Sequence, residues 1–206
     1  MRPLRGLYAI TDGRHGDALL APVDAVLRGG AVLVQYRDKS GDRPRRRAEA
    51  TALLALCRRH RARLLINDDV ELAAAVGADG VHLGRDDGSL AAARERLGPG
   101  ALIGVSCYAD PARARDAARA GADYLAFGSV HPSPTKPHAV RAPLELLGQA
   151  RAELGLPVCA IGGITPANGA ALVAAGADLL AVISALFDAA DPEQAAREFA
   201  GLFASG

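Results

Sequence analysis

The 206-residue chain contains no tryptophan, one methionine, four tyrosines and four phenylalanines. A surface that binds nucleic acid by stacking needs aromatic side chains interleaved with its cations. The two basic clusters, RPRRR at 43–47 and RRHRAR at 58–63, have no Phe, Tyr or Trp among them. They read as the solvated face of a helix, and a formal net charge of +1 supplies no field to draw in nucleic acid or membrane. Cysteine is scarce as well. Cys57, Cys107 and Cys159 are odd in number and lack metal-ligand spacing, which excludes a disulfide framework and a zinc site. They read as small apolar residues in a reducing cytoplasm. No apolar run reaches transmembrane length, and the opening MRPLRGLYAITDG has no continuous apolar segment of the signal-peptide kind. The expectation is a cytoplasmic protein with neither membrane nor nucleic acid as partner.

Lysine is the most informative scarcity. Of 24 Lys and Arg residues only Lys39 and Lys136 are lysine, and only Asn67 and Asn168 are asparagine. Where arginine serves for every ordinary positive charge, a retained lysine marks a place for a compact ammonium rather than a planar fork.

Half the residues are hydrophobic, enough for a substantial core. Short aliphatic runs recur at 7–11, 32–36, 64–67, 80–84, 101–106, 124–128, 158–163 and 179–184. Their spacing of roughly 26 residues leaves room for a strand, a helix and two short loops. The runs are apolar on successive residues, as strands covered on both faces must be. Between them lie Ala- and Arg-rich amphipathic segments with helix-start signals, such as Asp110-Pro111 and Asp191-Pro192 with Gln194. An internal echo, Gly-Ala-Asp before a strand at Gly77, Gly121 and Gly176, with a looser copy in LRGGAVLVQY, points to one repeated unit. The expectation is an α/β protein: one compact (β/α)8 TIM barrel occupying 1–206 as a single catalytic domain. A doubly wound open sheet is the alternative, but ITDGRHG after the first strand is not a dinucleotide-binding turn.

In such a barrel, chemistry gathers where strands end. The second run ends Gln35-Tyr36-Arg37-Asp38-Lys39, and period-two alternation places Gln35, Arg37 and Lys39 on one side. The third ends Asn67-Asp68-Asp69 and the fourth runs into Arg85-Asp86-Asp87. Carboxylates from adjacent strands beside a polyphosphate suit Mg²⁺, although either acidic group could instead cap the helix that follows. Ser106 ends the fifth run. Ile161-Gly162-Gly163 ends the seventh and Ile183-Ser184 the eighth, where barrels often bind a phosphate through backbone N–H groups. Two anionic subsites emerge: one cationic and metal-ready, suited to a diphosphate, and one of neutral donors, suited to a monophosphate. Two phosphorylated small-molecule substrates in turn suggest a transfer with pyrophosphate leaving.

The stretches LYAITD, LVQYRDKS, LLINDD, GADGVHLG, IGVSC, FGSVHPSPTKP, AIGGITPAN and LLAVISALF, in this order, cover nearly the whole chain. Through them it resembles the thiamine phosphate synthase family. The resemblance implies a transferase of thiamine biosynthesis that joins a hydroxymethylpyrimidine diphosphate to a thiazole phosphate, with Mg²⁺, giving thiamine phosphate and pyrophosphate. It implies that Gln35, Arg37, Lys39, Asn67, Ser106 and Lys136 bind the pyrimidine diphosphate, with Arg37, Lys39, Ser106 and Lys136 serving catalysis. It assigns Asp68 and Asp87 to Mg²⁺, and Ser133, Thr135, Gly163, Ile183 and Ser184 to the thiazole phosphate. The implied mechanism is dissociative: diphosphate departs and the thiazole nitrogen traps a pyrimidine cation, without a general base. The chain departs from the family in having Ser133 where threonine is frequent, His131 where an aromatic residue is common, and Tyr108 where histidine is common. His82 and His131 have no spaced partner and read as inward or packing residues rather than metal ligands. Two rivals remain. A thiazole tautomerase-like isomerase would carry histidine after Phe127-Gly128, where this chain has Ser129. A non-catalytic barrel that binds a phosphate metabolite would not need the metal-diphosphate groups. A homo-oligomer is compatible with the sequence.

Overall fold

The computed structural model describes residues 4–132 and 141–204. All eight apolar runs become parallel strands: β1 (Gly6–Ile10), β2 (Leu33–Tyr36), β3 (Arg63–Asn67), β4 (Gly80–Leu83), β5 (Leu102–Tyr108), β6 (Tyr124–Phe127), β7 (Val158–Ile161) and β8 (Leu179–Val182). They pair in chain order, and β8 returns to β1 to close the barrel. The open-sheet alternative is thereby excluded. Helices alternate with them: α1 (Asp17–Arg28), α2 (Arg43–Arg59), α3 (Val70–Val76), α4 (Leu90–Leu97), α5 (Pro111–Arg119), α6 (Glu145–Leu154), α7 (Pro166–Ala174), a short α8 (Ser184–Phe187) and α9 (Pro192–Gly201).

The strands carry two cores because successive side chains point to opposite faces. Leu7, Val34, Leu64, Val81, Ile103 and Leu180 face the helices. Tyr8, Leu33, Leu65, Leu102, Tyr124 and Leu179 fill the barrel interior. Each such side chain contributes about 1.5–3 kcal/mol by leaving water. Space inside is tight: a Cβ at Gly104 would lie 2.0 Å from Tyr124 Cζ, so this glycine makes room for the tyrosine ring. The three cysteines are free and buried, and burial pushes the thiols of Cys57 and Cys107 up to about 12, leaving them unreactive.

Capping decides which acidic residues are structural. Asp110 accepts hydrogen bonds from the Ala112 and Arg113 N–H groups, and Asp191 accepts from Gln194 N at 3.0 Å, as their sequence context predicts. Helix α3 is capped by Asp69, which accepts from Leu72 N, and α4 by Ser89, which accepts from Ala92 N. Asp68 and Asp87 are therefore free of capping duty.

The Gly-Ala-Asp echo has a role that its spacing did not disclose. Asp79 accepts from Leu64 N at 2.7 Å, Asp123 from Ile103 N at 2.7 Å, and Asp178 from Val158 N at 3.0 Å. In each case the aspartate's own N–H donates back to the carbonyl of the same residue. Each copy thus ties the start of its strand to the start of a neighbour, at the N-terminal end of the barrel. The cations of α2 also do more than face solvent: Arg46 lies 2.9 Å from Asp69 and Arg45 lies 3.2 Å from Asp38, both arginines half-buried.

Candidate active site

At the C-terminal end, β3 delivers Asn67 and Asp68, and the loop after β4 delivers Asp87. Asp68 sits at φ 63°, a left-handed conformation that turns its carboxylate away from the helix start taken by Asp69. Asn67 Nδ2 donates to Asp68 Oδ2 at 2.5 Å, and Lys39 Nζ forms an ion pair with the same oxygen. Asp87 accepts from Gly84 N at 2.7 Å. Burial, and then the adjoining Asp68 carboxyl, hold the Asp87 carboxyl above its ordinary range. Two carboxylates from neighbouring strands therefore meet at the barrel mouth with one lysine beside them. Such a pair fits a small divalent cation, which takes one or two protein carboxylates and completes its shell with water and phosphate oxygens.

The structure modifies the reading of β2. The strand ends at Tyr36, so Gln35, Arg37 and Lys39 are not one continuous inward row. Gln35 is 2 % exposed inside the barrel, and its Nε2 donates to Tyr8 Oη. Arg37 is half-buried, its backbone N–H donating to Thr11 Oγ1 at 2.9 Å. Lys39 lies in the exposed loop and reaches across to Asp68. The intervening Asp38 is partly buried, yet the Ser40 N–H and hydroxyl and the Arg45 guanidinium hold its carboxyl down to about 2.

Ser106 on β5 contacts His82 Nε2 through its Oγ at 2.8 Å, while its carbonyl accepts from Arg113 Nε at 2.6 Å. Arg113 also donates to Gly84 O at 2.8 Å, clamping the ends of β4 and β5 together. The guanidinium groups of Arg85 and Arg113 lie over the Tyr108 ring, 4.9 and 5.9 Å from its centre. Sequence reasoning passed over Arg113 because it sits inside a helical, arginine-rich segment with nothing to distinguish it locally.

On the far side of the rim, Gly163 follows β7 at φ 61°, and Ile183 and Ser184 open α8 after β8. The close approach expected at Gly163 occurs, but to protein: a Cβ there would lie 2.2 Å from Pro132 O. The chain leaving β6 is laid against β7 through Val130 N to Ile161 O (3.0 Å) and His131 N to Gly162 O (3.1 Å). Asn168 Nδ2 donates to Gly163 O at 3.0 Å and steadies the same turn. Ser133, Thr135 and Lys136 lie outside the described residues.

A second acidic group, Asp38 and Glu49 beside His15, was not anticipated. Its donors are already in place: Glu49 accepts from Gly16 N at 2.9 Å and from Tyr36 Oη at 2.7 Å, and Asp38 pairs with Arg45. It fastens the loop after β1 to α2.

Comparison with known proteins identifies the family. Residues 7–186 match the family model described as thiamine monophosphate synthase. A thiamine-phosphate synthase from Thioalkalivibrio sulfidiphilus is 57% identical over 202 residues, covering 97% of this chain and 96% of the relative. One from Azoarcus sp. is 60% identical over 202 residues, covering 98% of both. Among solved structures, thiamine phosphate pyrophosphorylase from Pyrococcus furiosus superposes with a TM-score of 0.87 at 36% identity, covering 98% of this chain and 96% of that one. With family motif, full-length identity and barrel geometry in agreement, the chain belongs to the thiamine monophosphate synthase family.

Proposed function

We propose that this barrel joins 4-amino-2-methyl-5-hydroxymethylpyrimidine diphosphate to 4-methyl-5-(2-hydroxyethyl)thiazole phosphate in an Mg²⁺-dependent transfer, releasing pyrophosphate. The observation that carries the reading is the meeting of Asp68 and Asp87, both free of helix capping, with Lys39 paired to Asp68. Bound there, Mg²⁺ would neutralise charge on the departing diphosphate. Lys39 and Arg37 bring cations to the same leaving group, joined by Lys136 through the family motif. Asn67 orients Asp68, and Gln35 and Ser106 hold the pyrimidine. The backbone at Gly163, Ile183 and Ser184, with the hydroxyls of Ser133 and Thr135, takes the thiazole phosphate. The C–O bond to diphosphate breaks first, and the thiazole nitrogen then forms the C–N bond to the pyrimidine methylene. The side chains accordingly stabilise a leaving group and align two substrates, rather than abstract a proton.

The isomerase alternative is not favoured by the full-length relatives. The test is pyrophosphate release by purified protein with each substrate alone and with both. Release together with thiamine phosphate is expected only when both are present; absence of product from the pair would contradict the reading.

A further inference from the structure

We infer that Tyr8, Tyr124 and His82 form a buried hydrogen-bonded chain that positions Gln35 and Ser106, fixing which of the two offers an acceptor and which a donor to the pyrimidine substrate; the choice of substrate rests on the function proposed above. The chain crosses the barrel interior and links five strands. Gln35 Nε2 on β2 donates to Tyr8 Oη on β1, and Tyr8 Oη lies 3.0 Å from Tyr124 Oη on β6. Tyr124 Oη lies 2.7 Å from His82 Nδ1 on β4, and His82 Nε2 lies 2.8 Å from Ser106 Oγ on β5. Both tyrosines are fully buried, Gln35 is 2 % exposed and His82 8 %.

A chain of this kind has a direction, because each hydroxyl supplies one proton. If Gln35 donates to Tyr8, the Tyr8 hydroxyl proton turns to Tyr124 and the Tyr124 proton turns to Nδ1 of His82. That nitrogen is then bare, the ring proton sits on Nε2, and Nε2–H donates to Ser106 Oγ. At one end Gln35 retains Oε1, an acceptor with no partner among the described residues. At the other end Ser106 retains its hydroxyl proton, a donor. An aminopyrimidine presents the complementary pair, an exocyclic N–H donor and ring-nitrogen acceptors. Burial of both phenols raises their pKa values, so they keep the protons that the chain needs. Gly104 belongs to the same device, since any side chain there would displace the Tyr124 ring.

Two measurements test the inference. The first is ¹⁵N–¹H correlation of the His82 ring in the whole protein, assigned by its loss in His82→Gln. The Nε2–H tautomer is expected, and an Nδ1–H tautomer would overturn the stated direction. This readout does not depend on turnover, so it stands even if the function reading fails. The second compares steady-state constants for Tyr124→Phe and Tyr8→Phe, which each remove one hydroxyl and leave the ring packing in place. Loss of one buried hydrogen bond should raise KM for the pyrimidine diphosphate about ten-fold while KM for the thiazole phosphate stays within about two-fold. His82→Gln, which keeps a donor near the Nε2 position, should retain more pyrimidine binding than His82→Leu. Unchanged KM in both tyrosine variants, or equal rises for the two substrates, would overturn the inference. Wild-type protein that makes no product would overturn the function reading instead.

Discussion

The two ends of the barrel use aspartate in opposite ways. At the N-terminal end, Asp79, Asp123 and Asp178 each accept a backbone N–H from an adjacent strand and return one from their own. At the C-terminal end, Asp68 and Asp87 stand against each other, and burial with that neighbouring charge raises the Asp87 carboxyl. The first arrangement lowers the energy of the fold, since a buried N–H without an acceptor costs about 1–3 kcal/mol. The second raises it, because like charges brought together are relieved only by a cation or a proton. The same residue type thus ties strands together where each carboxylate meets backbone N–H groups, and accumulates like charge where two carboxylates share one lysine.

The comparison predicts separable effects. Asp87→Asn removes one carboxylate of the mouth while keeping an acceptor for Gly84 N. We expect product formation to fall by about 10²–10³-fold, the scale of losing a preorganised electrostatic group. The melting temperature in chelator should not fall, because the variant also removes a repulsion. Activity near wild type would break the contrast from the catalytic side. Asp123→Ala at the opposite end should behave in the reverse way. It leaves Ile103 N–H without an acceptor and removes the carboxylate 2.7 Å from Arg94. Chemical denaturation should show a loss of about 1–3 kcal/mol, while kcat per folded molecule stays within about two-fold. A variant that unfolds no more easily would show that the N-terminal pairings are dispensable.

The smallest expected effect concerns pH. A carboxyl whose folded pKa lies above its unfolded value of about 4 adds stability below that value. The contribution is lost as pH rises through the folded pKa. Asp87 is such a group, so saturating Mg²⁺ should raise the melting temperature more near pH 8 than near pH 4–5, by roughly 1–3 °C. Asp87→Asn should abolish the difference. Equal shifts at both pH values would place the ion elsewhere.

Much of this was legible in the chain. Strands covered on both faces announce themselves as apolar runs, and all eight emerge within two residues of where they were expected at their starts. The choice between Asp68 and Asp69, or between Asp86 and Asp87, was not legible from the residues alone, since either member of each pair can cap a helix. The cap taken by Asp69 separates the first pair, and in the second the contacts of Asp87 with Gly84 N and Asp68 single it out once Ser89 is seen to cap α4. Contacts between strands were the least readable. Asp123 reaches Ile103 and Tyr8 reaches Tyr124 only through barrel register, which no local pattern encodes. His82 was expected to be an inward or packing residue. It is inward, but both ring nitrogens have hydrogen-bonding partners, Ser106 on the adjacent β5 and Tyr124 on β6 across the interior.

The proposal turns on whether the carboxylate pair at the barrel mouth serves a metal-assisted departure of diphosphate rather than the integrity of the fold. The most direct measurement is formation of thiamine phosphate from the two substrates by purified protein, with Mg²⁺ and then with excess chelator, alongside circular dichroism of the same samples. The account predicts product with Mg²⁺, none with chelator, and identical spectra. Equal product in both conditions, or a spectrum that collapses on chelation, would contradict it.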